Sequence, residues 1–416
     1  VGAKSLLPNV QPLLHDTDIN VRREAVRFYA DFSDDSPSEM LGQWLNDEDS
    51  ELRGAALYYL AENPKLGDKL LAPELIESFL REGKQSRFQV AEALGILNDE
   101  SYKPYLMKLL QDTDSSIRIR AIKSAGQVRA NDFVAILVQN LGDRTYRKTA
   151  REALAEYGDT IIDTLAEYLK DQSTAIEIRS GIPRVLSLIG SQCTVEVLLD
   201  NLAQDDETLR YQMIKALNKL RATFSNLNFD QRVDEALIDE LKKYFRILAA
   251  LHKTDLKNGL DGQSFDLLAR VLQERLDDHI DRIFRLLGLC YPPRDIYNAY
   301  AATTSTNRSI RANAVEFLDN ILSNNLKRIL LPIVEELPVE QVLQRANGLL
   351  DVSFNNRKEA LEDLAKNSDP WLRACALYEI GKCGLVKEFR PLINHAKAET
   401  NSLVQETANF VLRQFA

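Results

Sequence analysis

The strongest constraint on this chain is a short phrase that returns about every 31 residues. The phrase is an acid, two variable residues, an apolar residue and then arginine. Its full copies pair Asp18 with Arg22, Asp49 with Arg53, Asp114 with Arg118, Asp143 with Arg147, Asp206 with Arg210, and Asp369 with Arg373. Relaxed or weak copies begin at Gly83, Ala175, Asn307, Gln341 and Asn401. Self-similarity at a fixed period of this length indicates a repeat array.

Each copy of the phrase predicts a helix with a cap. Apolar residues follow the acid at the spacing of one face of an amphipathic helix, as Val21, Ala25 and Val26 do after Asp18. The acid can accept hydrogen bonds from the free N–H groups of the first turn. A second apolar stretch precedes each acid, so every repeat reads as two helices. We therefore predict an all-α fold, a right-handed α-solenoid of antiparallel helix pairs.

The recurrent arginine has two interpretations. A row of guanidinium groups can bind phosphate or carboxylate groups of a ligand. Alternatively, each arginine contacts an acid of its own or the adjacent repeat and ties neighbouring repeats together. An anion site does not require the same residue in nearly every repeat, so the pattern favours the structural tie.

The phrase is missing for about three periods between Asp206 and Asn307. Helical periodicity continues there with longer spans, which predicts an irregular middle segment of long helices. The polar loop that joins these helices contains Asp255 and Asp261. It lacks the ligand order and the closing glutamate of a calcium loop, so a polar turn is favoured.

The loss of the phrase suggests a division of the chain into three parts. We predict regular repeats over 1–225, an insertion or divergent repeats over 226–290, and further repeats over 291–416. The chain begins at Val1 inside a repeat, without methionine, so we expect a region of a longer protein.

Composition and charge restrict the partners. The net charge is -10 and no lysine and arginine cluster is interleaved with aromatic residues, so nucleic acid is not expected as a partner. No apolar run is long enough to span a bilayer, so this segment is not expected to insert into a membrane. The four cysteines have no metal-ligand spacing. We expect reduced core or near-core thiols and a cytoplasmic environment.

Motifs for catalysis are not found in the sequence. There is no glycine-rich phosphate loop, nucleophile elbow or zinc-binding HExxH pattern. The four histidines, His15, His252, His279 and His395, are far apart in the sequence and are expected at the surface or at interfaces. We therefore predict no enzyme activity, no cofactor and no metal ion.

A partner would bind where the second helices of the repeats line an inner, concave surface. The ninth residue after each acid falls on the solvent side of these helices. Most of these residues in the first half of the chain are basic or aromatic, and the predicted binding residues are Arg27, Tyr58, Lys123, Arg184 and Lys215. The prediction is that they hold an acidic peptide or another domain of the same polypeptide. An ordinary solvated helix face is the alternative.

The interrupted segment and the repeat after it carry a family resemblance. The runs HIDRIFRLLGLCYPPRDIYNAY at 279–300 and SIRANAVEFLDNIL at 309–322 resemble the HEAT-repeat region of bacterial nucleotide-translocase-like membrane proteins, of the ATP/ADP carrier type. The resemblance implies a soluble cytoplasmic regulatory scaffold, tethered to a transporter domain at the inner face of a membrane. The transporter's functional residues are not in this chain.

The flanking repeats also resemble the HEAT-like units of phycobilisome lyases. That resemblance implies an alternative function, a chromophore lyase or chaperone subunit that cradles a bilin.

Overall fold

The computed structural model describes residues 3–204, 206–229, 232–254, 267–303, 305, 307–335, 337–350 and 352–415. Over these residues the chain is all-α and contains no β-strand, which confirms the predicted fold class. It divides into two compact units, Val1–Ile189 and Gly190–Ala416, called unit 1 and unit 2 below. The predicted polar turn with Asp255 and Asp261 lies outside the described residues. The predicted division into three parts stays a prediction.

Unit 1 contains fourteen α-helices and five short 3-10 helices in its described part. The α-helices are α1 (Leu7–Val10), α2 (Ile19–Phe32), α3 (Pro37–Trp44), α4 (Ser50–Glu62), α5 (Pro64–Leu70), α6 (Pro73–Arg81), α7 (Lys84–Leu97), α8 (Lys103–Leu109), α9 (Ser115–Val128), α10 (Val134–Gln139), α11 (Arg147–Ala155), α12 (Ile162–Lys170), α13 (Ile176–Arg179) and α14 (Ile182–Ile189). The 3-10 helices are Lys4–Leu6, Gln11–His15, Glu100–Tyr102, Asn131–Phe133 and Gly158–Ile161.

The second helices of the repeats form the spine of unit 1. Helices α2, α4, α7, α9, α11 and α14 pack in this order, each against the next. Their inward positions are fully buried, for example Val26, Ile122 and Leu154. Alanine recurs on the contact face, as at Ala56 and Ala121, and lets neighbouring helices approach closely. Unit 1 is therefore a stack of helix pairs with one continuous core, as an α-solenoid requires.

Unit 2 contains twelve α-helices in its described part. They are α15 (Gln192–Asp200), α16 (Glu207–Thr223), α17 (Arg232–Thr254), α18 (Leu267–Cys290), α19 (Pro293–Thr303), α20 (Arg308–Ile321), α21 (Asn324–Val334), α22 (Val339–Leu350), α23 (Arg357–Ala365), α24 (Pro370–Lys382), α25 (Arg390–Lys397) and α26 (Ser402–Gln414). The long helices expected where the phrase is missing are α17, with 23 residues, and α18, with 24.

These two long helices are the centre of unit 2. They pack against each other, and α18 also contacts α16, α19 and α24, while α17 contacts α22 and α23. Later helices therefore return to pack on earlier ones, whereas in unit 1 each second helix packs on its neighbours along the spine. Ion pairs stabilise this packing of later helices on earlier ones. Arg246 contacts Asp363, 117 residues away, and Arg275 contacts Asp369, 94 residues away.

No helix among the described residues combines the length and the apolar character that crossing a membrane requires.

The cysteines are free, but only Cys375 is buried, and Cys193 and Cys290 are exposed. The expectation of core or near-core thiols is therefore wrong for Cys193. The Cys290 thiol is near the core, since burial raises its pKa to about 12.

Candidate functional site

Most acids of the repeated phrase cap a helix. Asp18, Asp49, Asp114, Asp206 and Asp369 each accept a hydrogen bond from a backbone N–H in the first turn that follows. The ammonium of Lys84 and then the hydroxyl of Ser116 hold the pKa of Asp114 well below its usual range. Asp143 differs, because residues 144–146 form a turn and α11 begins only at Arg147. The Asp143 carboxylate accepts a hydrogen bond from the Thr145 N–H within that turn.

The arginines of the phrase reach forward to the next repeat. Their partners are Asp49 for Arg22 at 2.6 Å, Glu82 for Arg53 at 2.7 Å, Asn140 for Arg118 at 2.8 Å, Asp239 for Arg210 at 2.7 Å, and Glu399 for Arg373. Arg22 and Arg53 also donate to the backbone carbonyls of Asp16 and Asp47, just before their own caps. The Arg147 guanidinium has no hydrogen bond or ion pair within the described part of the chain. Where the contacts form, they join consecutive repeats.

Replacing Arg118 with alanine is expected to lower the free energy of unfolding by about 1–2 kcal/mol. The guanidinium donates to Asn140 Oδ1 and stacks on the Tyr146 ring at 4.4 Å, and both contacts are lost. Denaturant unfolding measures the change, and Arg144→Ala, at an exposed position nearby, is the control with an expected change below about 0.5 kcal/mol. Equal effects of the two substitutions would contradict a role for Arg118 in stacking the repeats.

The predicted binding residues are in different states. Arg27 is paired with Glu62 at 2.7 Å and Glu24 at 3.0 Å, and the Tyr58 ring lies under the Arg23 guanidinium at 3.9 Å. Lys123 and Arg184 are exposed, and within the described residues neither side chain has an ionic or hydrogen-bonding partner. Lys215 belongs to unit 2, where its ammonium lies 5.2 Å from the Tyr211 ring centroid. Of the predicted binding residues, Arg27 and Tyr58 therefore already contact other side chains, whereas Lys123 and Arg184 are free to contact a partner.

Unit 2 contains a cleft of about 770 Å³. It lies where α16, α17 and α18 face the turn between α23 and α24, and seven aspartate or glutamate residues but only four lysine or arginine residues line it. The caps Asp206 and Asp369 are both at its wall. The cleft therefore lies between the segment where the regular phrase is interrupted and the later copy of the phrase at Asp369.

A buried network of charges forms the floor beneath this cleft. Glu240 is 0% exposed, and its carboxylate contacts His279 Nδ1 at 2.6 Å and the Arg282 guanidinium. Arg210, 1% exposed, places Nε 2.9 Å from the other oxygen of Glu240, without the alignment of a hydrogen bond. Arg282 also contacts Glu207 at 2.9 Å. Each charged side chain of this network thus has an opposite charge beside it.

The electrostatics of Glu240 favour its charged form. Burial by itself raises the pKa of a carboxyl group, but the hydrogen bond and charge of His279, followed by the charges of Arg282 and Arg210, lower the pKa of Glu240 to about 2. The carboxylate is therefore an anion at neutral pH, held between two buried guanidinium groups.

The sequence-based expectation for His279 is wrong. The residue is 3% exposed and lies on the buried stripe of α18 with Leu276 and Ile283. The remaining histidines, His15, His252 and His395, are exposed. Glu240 was missed as well, although its position was a signal: it falls on the apolar stripe of α17, beside Leu237 and Leu241. A charged residue on a buried helix face needs a buried partner.

A metal ion does not suit this network. Ligand atoms of Glu207, Glu240 and His279 lie within 4.8 Å of one another. However, Arg210 and Arg282 already contact the two carboxylates, and their positive charges oppose the binding of a cation in this low-dielectric interior. The chemistry of the donor set therefore favours an ion-pair network.

Comparisons with known proteins identify the repeats. Two overlapping stretches of the chain, 6–87 and 72–155, match the family of HEAT repeats. No curated protein sequence matches the chain.

Two solved structures are similar over part of the chain. Human deoxyhypusine hydroxylase in complex with glycerol has 17% sequence identity and a TM-score of 0.24, covering 68% of this chain and 96% of that one. The crystal structure of an engineered protein has 20% identity and a TM-score of 0.21, covering 53% of this chain and 97% of that one. Likenesses this distant carry no argument about function.

Proposed function

We propose that the chain is a non-catalytic scaffold that binds a segment of a partner protein, or another domain of the same polypeptide, on unit 1. The binding surface is the exposed side of α2, α4, α7, α9, α11 and α14, called the second-helix face below. The observation that carries the proposal is that Lys123 and Arg184 project from this face as exposed cations with no partner among the described residues. Such cations, fixed on different repeats of one array, can engage several acidic groups of one segment.

The packing beneath the face supports the same function. Each of its helices buries its opposite side in the continuous core, at residues such as Ala91, Ile122 and Leu186. A surface held in this way loses little conformational freedom on binding, so less of the interaction energy is consumed in ordering it.

Photo-crosslinking tests the proposed surface. A photoreactive amino acid placed at Lys123 or Arg184 is expected to give crosslinked products in the cells that make this protein. The matched controls are Lys108 and Lys170, which are exposed on the first helices α8 and α12. They are expected to give none. Products from the control positions, with none from Lys123 or Arg184, would place the binding surface elsewhere.

The cellular context is a finer proposal. We propose a soluble cytoplasmic regulatory role beside a nucleotide-transporter-like membrane protein, supported by the resemblance of residues 279–300 and 309–322. Fractionation tests it, because the protein is then expected in the membrane fraction, at the inner face of a membrane. The second candidate, a bilin lyase or chaperone, is supported by the resemblance of the flanking repeats. It requires a shift in the absorption spectrum of a bilin when the protein is added.

A further inference from the structure

The arginines of the second-helix face are matched by carboxylates over most of its length. Arg23 and Arg120 share Glu92, with Arg120 at 3.7 Å, and Arg27 has Glu24 and Glu62. The paired acids lie on the same helix or on another helix of the spine. The protein therefore neutralises these arginines of α2 and α9 itself, whereas Arg118 of α9 has the neutral amide of Asn140.

The matching stops at α11 and α14. The guanidinium groups of Arg147, Arg151 and Arg184 form no hydrogen bond or ion pair with the residues that the structure describes. Arg147 and Arg151 are four residues apart on α11, so about 6 Å separates them along the helix. Helix α14 packs directly on α11 and carries Arg184. We call these three residues the arginine triad.

The middle residue of the triad is under electrostatic strain. Arg151 is partly buried, and its Nε lies away from solvent without a hydrogen-bond partner. Burial, followed by the charges of Arg184 and Arg147, lowers the pKa of Arg151. Three like charges with no counter-charge repel one another, and a bound anion would remove this repulsion.

We propose that the arginine triad is the site that receives the carboxylates of an acidic peptide segment. The proposal deepens the proposed function and rests on it. A guanidinium presents a planar fork of donors that matches a carboxylate. In an extended peptide, residues two apart lie on the same side, separated by about 6.6 Å. That spacing is close to the separation of Arg147 and Arg151, so acids at alternate positions of the segment can contact both.

A direct binding measurement tests the triad. The probe is a fluorescein-labelled peptide in which glutamate alternates with serine, followed by fluorescence anisotropy at low salt. Arg151→Gln and Arg184→Gln together are expected to weaken binding by about tenfold or more. The matched control, Arg81→Gln, removes an exposed arginine of the first helix α6 that already has Glu77 at 2.9 Å, and it is expected to change affinity less than about twofold. Failure of the unsubstituted protein to bind, or equal affinity of all variants, would overturn the proposal.

Further arms separate ligand class and folding. A serine-only peptide is expected not to bind, and a single-stranded oligonucleotide that competes better than the glutamate peptide would show that the ligand class is wrong. The melting temperature of the double variant is expected to stay the same or rise, because like charges are removed. Arg184→Gln alone, at an exposed position, keeps the test valid if Arg151→Gln impairs folding. Crosslinks at Lys123 with no role for the triad would refute this inference and leave the proposed function standing.

Discussion

Replacing Glu240 with glutamine is expected to destabilise unit 2 by about 3–5 kcal/mol, because two buried arginines then lose the anion between them. Arg210 is 1% exposed and Arg282 is 5% exposed, so water cannot solvate either guanidinium in place of the carboxylate. Glutamine has nearly the same size as glutamate. The substitution therefore removes the charge with little change in packing, and the loss of stability reports the electrostatic contribution.

The measurement is denaturant unfolding followed by circular dichroism. The matched control is Asp239→Asn, which removes the neighbouring acid that also contacts Arg210, at 2.7 Å, but has a side chain 49% exposed. Its expected cost is below about 1 kcal/mol, because water and salt screen an exposed pair. Similar losses for the two variants would mean that Glu240 is not the anion on which the buried arginines depend.

The same residue determines a dependence on pH. Glu240 has a pKa lowered in the folded state, from the 4.5 of a free glutamate to about 2, so its ionisation stabilises the fold above that free value. This contribution is lost as the pH falls through the folded-state pKa. The difference in stability between the unsubstituted protein and Glu240→Gln is therefore expected to be largest at neutral pH and to shrink between about pH 4.5 and pH 2. A constant difference over that interval would contradict the assignment.

The local sequence pattern predicted much of the fold, because the same capped-helix pattern recurs in several repeats. The acid at Asp114 and the apolar residues Ile117, Ala121 and Ile122 define a capped helix without reference to the rest of the chain. The break in the phrase after Asp206 likewise marked where α17 and α18 replace the regular pairs. Features of this kind depend on residues within a few turns of one another.

The candidate sites depend on distant residues, and for that reason the sequence did not reveal them. Glu240 meets His279 across 39 residues and Arg282 across 42, and no spacing rule links two helices that pair side by side. The arginine triad was hidden for a related reason. Arg147 has the same place in the phrase as Arg22, and only the structure shows that Arg22 finds Asp49 while Arg147 finds no partner within the described residues. Whether an arginine of the phrase ties two repeats together or is free to bind a ligand therefore depends on which residue lies beside it in the fold.

Replacing glycine with alanine is expected to have opposite effects at two positions, one in the close-packed spine and one outside it. Gly126 lies in α9, and a Cβ added there would be 2.7 Å from the Ala153 Cα of α11, closer than side chains approach a backbone. The helices must move apart, so Gly126→Ala is expected to destabilise the protein by about 1–2 kcal/mol in spite of the better helix propensity of alanine.

The control is Gly348 in α22, which is exposed and has no atom within 4 Å of an added Cβ. Gly348→Ala is expected to stabilise the protein by up to about 1 kcal/mol, since only the helix propensity changes. Thermal and denaturant unfolding of the two variants, measured side by side, gives both signs. A stabilising Gly126→Ala would mean that α9 and α11 are less tightly packed than the structure shows, and that the second-helix face is not the rigid surface on which the proposed binding function depends.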